Sequence, residues 1–366
     1  MPPISPSSGP VAVTGASGYI GSWICYDLMM QGYNVRACVR DTSNPKKVAH
    51  LQAMNEYPIL RGTLTLYQAD LLVPGSYDNA FRGAAGVIHS GAAVGFNKET
   101  PQEVYDGCFT QNEAVLSSVA KSGSVKRIVF TSSFAAVAHP AKAGYVFTEK
   151  DWCTDNRERM IEKGLWDNGN GEVIKKSRDI AYALAKARSE KLLYKLAAEN
   201  GTFEAMTINP LHVIGPVMCE NHDQPFSWQN HIRFMMNGKN FIMFPHGRML
   251  WNCVDVRDTA RAHRLCLEST VADNGSRYIL GATDRSMEMF TWQLQAKLQS
   301  LFPQLPNIGG EEMENGKPTG ETYDSPRSYC LLAKEELGLK TYTIEDTLRD
   351  TGLSYMTLGL IKNANL

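Results

Sequence analysis

Three observations predict an α/β fold of the Rossmann type: a doubly wound parallel sheet with a small C-terminal substrate-binding domain. A β-branched strand near the start of the chain runs straight into a Gly-x-x-Gly-x-x-Gly turn and then a helix. Further short apolar runs alternate with helical stretches, as βαβ units do. A run rich in Ala, Leu, Lys and Glu, free of Gly and Pro, carries Tyr182 and Lys186 four residues apart. Helical spacing puts that pair on one face.

Composition narrows the class. A chain of 366 residues buries a full core as one large or two modest domains. The formal net charge of −1 gives no reason to expect nucleic acid or an acidic membrane as partner. No apolar run is long enough to span a bilayer. Cys25, Cys38, Cys108, Cys153, Cys219, Cys253, Cys266 and Cys330 lack the spacing of a metal site or a disulfide framework. They fit a reducing compartment, so a cytoplasmic location and no metal are expected. Met1 to Pro10 is Pro- and Ser-rich, without the basic and apolar parts of a signal peptide, and is read as a disordered arm.

The strand Val11 to Thr14 leads into Gly15-Ala16-Ser17-Gly18-Tyr19-Ile20-Gly21. A helix is expected from Trp23 to Gln31, ended by Gly32. The glycines allow a tight turn and close backbone approach, and the helix N-terminus then faces a pyrophosphate. A second strand, Asn34 to Arg40, completes the unit. It ends in Arg40, not in a carboxylate, and Lys46 and Lys47 follow in the next loop. Arginine suits the 2′-phosphate of NADP, whereas Asp or Glu would hold the ribose hydroxyl of NAD. NADPH is therefore the expected cofactor, with Asp41 as the one residue able to imitate the acidic alternative.

Further strands are expected at Leu64 to Ala69, ending in Asp70-Leu71, and at Val87 to Ser90, followed by Gly91-Ala92-Ala93. Small residues there permit cofactor backbone contact. Gln111 to Lys121 reads as a helix. Val125 to Thr131 reads as a buried parallel strand ending in Thr131-Ser132-Ser133. Ligand crevices of open α/β sheets lie at such strand ends. Asp155 to Asp179 is charged and carries Gly164, Gly169 and Gly171. It is either a solvent loop or a flap over the substrate. The helix from Ala181 to Glu199 follows.

These pieces in order, with Ile208-Asn209-Pro210 running to Val213-Ile214-Gly215-Pro216, resemble the extended short-chain dehydrogenase/reductase family. Within it, the chain looks like the branch of dihydroflavonol reductases, cinnamoyl-CoA reductases and yeast-type NADPH aldehyde or ketone reductases, over roughly Val11 to Gly338. The resemblance implies catalytic roles for Ser133, Tyr182 and Lys186. It implies cofactor contacts from Gly15, Ser17, Gly18, Tyr19, Ile20, Gly21, Arg40, Lys47, Asp70, Leu71, Ala92, Thr131, Pro210 and Val213, besides Tyr182 and Lys186. The chain departs from the plant enzymes at two places. Their polar amide five residues after the serine is Ala138 here, and the cinnamoyl-CoA reductase Asn-Trp-Tyr-Cys-Tyr signature is replaced by Phe134 to Pro140. Both departures argue against those two plant activities.

The expected organisation is a disordered arm (1–10), a cofactor domain (11–216 with 251–283), a substrate domain (217–250 with 284–340) and a helical tail (341–366). Helices are expected at His231 to Gly238, Thr259 to Glu268, Tyr329 to Leu337 and Ile344 to Thr351, and a strand at Ser276 to Leu280. Leu353 to Leu366 is expected to dock on the body or on a partner. Phe96, Phe134, Tyr145, Leu211, Met218, Phe226, Trp228 and Phe244 are the candidate pocket walls. They describe an apolar pocket for an aryl or alicyclic carbonyl compound. The expected activity is NADPH-dependent reduction of a ketone or aldehyde, or the reverse oxidation of an alcohol, with Tyr182 as proton donor. A hydroxysteroid or sterol dehydrogenase, a nucleotide-sugar epimerase and a non-catalytic dinucleotide sensor remain alternatives. The protein is expected as a monomer or homodimer.

Overall fold

In the computed structural model the described residues are 1–91, 100–225, 227–239, 250–284, 287–305 and 327–361. Ala92, Phe96, Phe226 and Phe244 lie outside them. The chain begins with β1 (Val11–Thr14), α1 (Tyr19–Met30), β2 (Val35–Val39), α2 (Pro45–Ala53) and β3 (Leu64–Gln68). There follow α3 (Asp78–Phe81), β4 (Gly86–His89), α4 (Pro101–Phe109), α5 (Gln111–Ser122) and β5 (Arg127–Thr131). A connecting segment holds β6 (Val146–Phe147), α6 (Arg157–Glu162), β7 (Trp166–Asp167) and β8 (Glu172–Val173), and leads to α7 (Arg178–Asn200) and β9 (Glu204–Pro210). Next come β10 (His212–Ile214), α8 (Trp228–Met236), β11 (Leu250–Trp251), β12 (Cys253–Asp255), α9 (Val256–Glu268) and β13 (Arg277–Leu280). After β14 (Met289–Phe290), α10 (Thr291–Leu301) and β15 (Arg327–Ser328) come the helices Leu332–Leu337 and Ile344–Thr357.

The main sheet has seven strands in the order β13-β9-β5-β4-β1-β2-β3, all parallel. Strand order reverses between β1 and β4, which opens a crevice at their C-terminal ends. The central strands are buried along their length, as helices on both faces require. α1 packs against α9 on one face, and α4 and α5 pack against α7 on the other. A smaller C-terminal unit has its own apolar cluster, with Ile232, Met235, Trp251, Leu294, Leu298, Leu348 and Tyr355 buried together.

Several elements differ from expectation, each for a local reason. α1 begins at Tyr19, not Trp23, because Gly18 is its N-cap and the glycine turn feeds the helix directly. α9 begins at Val256 because the Asp255 carboxylate accepts from the Arg257 N–H at 2.8 Å and caps it. α4 was not anticipated, although Thr100 and Glu103 form a capping box at its start. Tyr329 precedes its helix, because Arg327–Ser328 pairs with Val146–Phe147 instead.

The N-terminal arm differs from expectation at one point: Ile4 is buried, while Met1 to Pro3 and Ser5 to Ser8 are exposed. Ile4 is 3% exposed, its N–H donates to the Leu267 carbonyl at 2.8 Å, and its carbonyl accepts from the Tyr33 hydroxyl at 3.0 Å. The amine of Met1 pairs with Glu204. The C-terminal helix Ile344–Thr357 docks on the body. Tyr355 is buried and donates to the Gln229 carbonyl at 2.9 Å, and the Ser354 hydroxyl accepts from the Val217 N–H at 3.0 Å. The charged segment from Asp155 to Asp179 is anchored as well. Met160 and Val173 are buried against Ala181, Leu184 and Ala185 of α7. The Lys175 ammonium lies 3.7 Å from the centre of the Tyr105 ring.

Candidate active site

A cleft of about 630 Å³ runs along the crevice, within the range of small-molecule sites. Its floor is the glycine turn. Gly15 has φ +65, and a Cβ there would lie 2.6 Å from the Gly91 Cα. A Cβ on Gly21 would lie 2.2 Å from the Gly15 carbonyl oxygen. Only glycine fits at these two positions, so β1, the turn and the β4 end close tightly against each other. No side chain caps α1 at Gly18, and Gly18, Tyr19, Ile20 and Gly21 all line the cleft. First-turn N–H groups left uncapped on a helix of twelve residues suit a bound anion. The donor set therefore fits a dinucleotide. Ser17 is half-buried within the same turn.

Arg40, Lys47, Asp70 and Leu71 do not line the cleft. Arg40 is exposed, with its Nε 3.9 Å from Asp70 Oδ2. Lys47 is exposed on α2, while Asp70 and Leu71 are half-buried beside the β3 end. The Asp41 carboxylate accepts from the Ser43 N–H at 2.8 Å and the Ser43 hydroxyl at 2.6 Å. Those bonds hold it below the usual carboxylate range. Asp41 is thus engaged within its own loop.

At the other end, β5 and α7 bring Ser133, Tyr182 and Lys186 to one wall, with Thr131 and Ser132 beside them. Ser177 caps α7, accepting from the Ile180 N–H at 3.2 Å. Tyr182 and Ser133 stand on the same wall of the cleft. Burial pushes the Tyr182 phenol up to about 12, and the neighbouring Ser133 hydroxyl opposes that rise. Lys186 is 4% exposed. Its ammonium donates to the Thr131 carbonyl at 2.9 Å and lies 5.8 Å from the Tyr182 ring centre. Burial lowers its pKa, opposed by Cys108 and Glu190. Lys186 is therefore held to the strand end, not to the phenol.

Pro210, Leu211 and Val213 line the cleft past β9, as does Phe134 after Ser133 and Trp228 at the start of α8. Tyr145 and Met218 do not. The Tyr145 hydroxyl donates to Asp151 at 2.5 Å in a group with His139. Met218 packs against the main core. Sequence reading missed Ser90, Asp179, His212, Ser227 and Gln229, all of which line the cleft. Asp179 could have been found, since it stands three residues before Tyr182 on the same helix face. His212 sits inside the Pro210 to Val213 segment, with its ring 4.2 Å from that of Trp228.

A model of the NAD dependent epimerase/dehydratase family matches residues 11–157 and 170–281. The chain is similar to a cinnamoyl-CoA reductase from Medicago truncatula, 32% identical over 93% of this chain and 94% of the relative. It is also similar to a dihydroflavonol 4-reductase from Arabidopsis thaliana, 36% identical over 97% of this chain and 87% of the relative. Its fold is that of the yeast methylglyoxal/isovaleraldehyde reductase solved with NADPH. The TM-score is 0.75, at 22% identity, over 96% of this chain and 100% of that one. The glycine turn on a parallel sheet and these full-length likenesses place the chain in the NAD dependent epimerase/dehydratase family, as an extended short-chain dehydrogenase/reductase and a nicotinamide-dependent oxidoreductase.

Proposed function

We propose that the protein is an NADPH-dependent carbonyl reductase acting on ketones or aldehydes with an aryl or alicyclic group. One observation carries the reading: Ser133, Tyr182 and Lys186 stand together on one wall of the cleft that the uncapped helix N-terminus also lines. The nicotinamide, when bound, supplies the hydride. Gly15, Gly18 and Gly21 with the α1 N-terminus hold the phosphates, and Arg40 with Lys47 selects the 2′-phosphate.

Ser133 donates to the carbonyl oxygen and orients it. Negative charge grows on that oxygen as the carbonyl is reduced. Tyr182 gives it the phenol proton, because an alkoxide is a much stronger base than a phenolate whose acid sits at about 12. The Lys186 cation and the Ser133 hydroxyl then favour the phenolate left behind. Phe134, Leu211 and Trp228 make the apolar wall against which a ring would pack. An epimerase reading would need a carboxylate at the ribose. The engagement of Asp41 by Ser43 speaks against it.

The test is an NADPH-consumption assay across aryl aldehydes, aryl ketones, diketones and steroid ketones, repeated with NADH. The expected result is turnover on at least one class, with NADPH strongly preferred. Inactivity on all four with conversion of a nucleotide sugar would overturn the reading.

A further inference from the structure

Glu190 lies one helical turn beyond Lys186 on α7 and is fully buried. Its carboxylate accepts from the Ser132 hydroxyl, the Asn209 amide at 2.8 Å, Arg277 Nε at 2.8 Å and the Thr207 hydroxyl at 3.3 Å. Ser132, Asn209 and Arg277 all donate to this one group, which suits an acceptor-only carboxylate better than an amide. The Asn209 amide also donates to the Ser133 carbonyl at 3.2 Å. Lys186 holds the Thr131 carbonyl at 2.9 Å. All three residues at the end of β5 are thereby tied to α7, two of them through Glu190. Arg277 supplies the counter-charge and is itself fixed by the Glu149 carbonyl at 2.6 Å and the Asp151 carbonyl at 2.7 Å. A buried ion pair is weak evidence for stability, because desolvation offsets the attraction. What this one does add is a fixed distance between a helix and a strand end.

We propose that Glu190 is a positioning residue for the Ser133 hydroxyl, setting where it meets Tyr182 by clamping Ser132 and Asn209. The inference rests on the carbonyl reductase reading.

The test is a double-mutant cycle. Glu190→Gln and Ser132→Ala are made in the parent and on a Ser133→Ala background. kcat, KM and NADPH affinity are measured for each. Glu190→Gln is expected to lower kcat at least ~10-fold, with KM and NADPH affinity within ~3-fold. Ser132→Ala is expected to lower kcat by about 3-fold. On the Ser133→Ala background both should cost less than ~2-fold, because the group they position is gone. Equal losses on both backgrounds, or no change in kcat, would overturn the proposal. If Glu190→Gln fails to fold because Arg277 is left unpaired, Ser132→Ala keeps the ion pair and carries the same cycle. A parent protein inert on every carbonyl class defeats the reductase reading instead. Crystal structures of the same variants then decide the clamp. A Ser133 hydroxyl displaced from Tyr182 supports it, and an unmoved one overturns it.

Discussion

At one end of the cleft Lys186 is 4% exposed and its ammonium is bonded to a carbonyl at 2.9 Å. Beyond the cleft, after β2, the Arg40 side chain is 77% exposed, with its Nε 3.9 Å from Asp70. The first is fixed by packing and hydrogen bonds before any ligand arrives. The second works as a charge on the surface, screened by salt and free to adjust. Changes at the buried end should therefore fall on rate, and changes at the exposed end on cofactor affinity and its salt dependence.

The largest effect is expected from Lys186→Met. Removing the buried cation should lower kcat on the order of 10²–10³-fold while the protein still folds and binds NADPH, since one preorganised electrostatic group carries about that much. A matching loss in affinity without loss in kcat would reverse the division. Next comes Arg40→Ala. It should weaken NADPH binding about 10-fold at low salt and leave NADH nearly unchanged, and the difference should shrink at high salt. Isothermal titration with both cofactors at two salt concentrations checks this. Equal affinities for the two cofactors in the parent would remove the basis for the assignment.

A smaller effect concerns pH. Because burial holds the Tyr182 phenol up to about 12, it stays protonated across ordinary buffers. Reduction should vary little between about pH 6 and 9, while alcohol oxidation, which needs the phenolate, should rise with pH. A fall in reduction rate centred near neutral pH would point to another proton donor. The smallest effect on chemistry is expected from deleting residues 1–5, which removes Ile4 from the core. Stability should drop by about 1.5–3 kcal/mol with kcat unchanged, as read by denaturant unfolding beside the activity assay.

The same division explains what could be read without coordinates. The glycine turn is legible because its spacing between a strand and a helix is local, and Gly21 meets a steric limit set by Gly15 itself, although the limit at Gly15 comes from distant Gly91. Tyr182 and Lys186 are legible because helical spacing alone places them on one face. Ile4 was not, since a Pro- and Ser-rich composition gives no hint that Leu267 waits beside it. His212 and Gln229 come to the cleft through the path of the chain after β9, which no local pattern encodes. The same holds for Glu190. It looks like one more solvated charge on an Ala- and Lys-rich helix until Arg277 and Ser132 are found around it. Tyr145 failed in the opposite direction. Aromatic character suggested a pocket wall, but its hydroxyl is committed to Asp151.

The most direct test is Tyr182→Phe, assayed by NADPH titration and by NADPH consumption on the parent's best carbonyl substrate. The ring is kept and only the hydroxyl is lost, so folding and cofactor affinity should match the parent. Turnover should fall at least ~100-fold, the scale of positioned proton transfer. A variant that binds NADPH normally and still reduces that substrate at close to the parent rate would contradict Tyr182 as the proton donor.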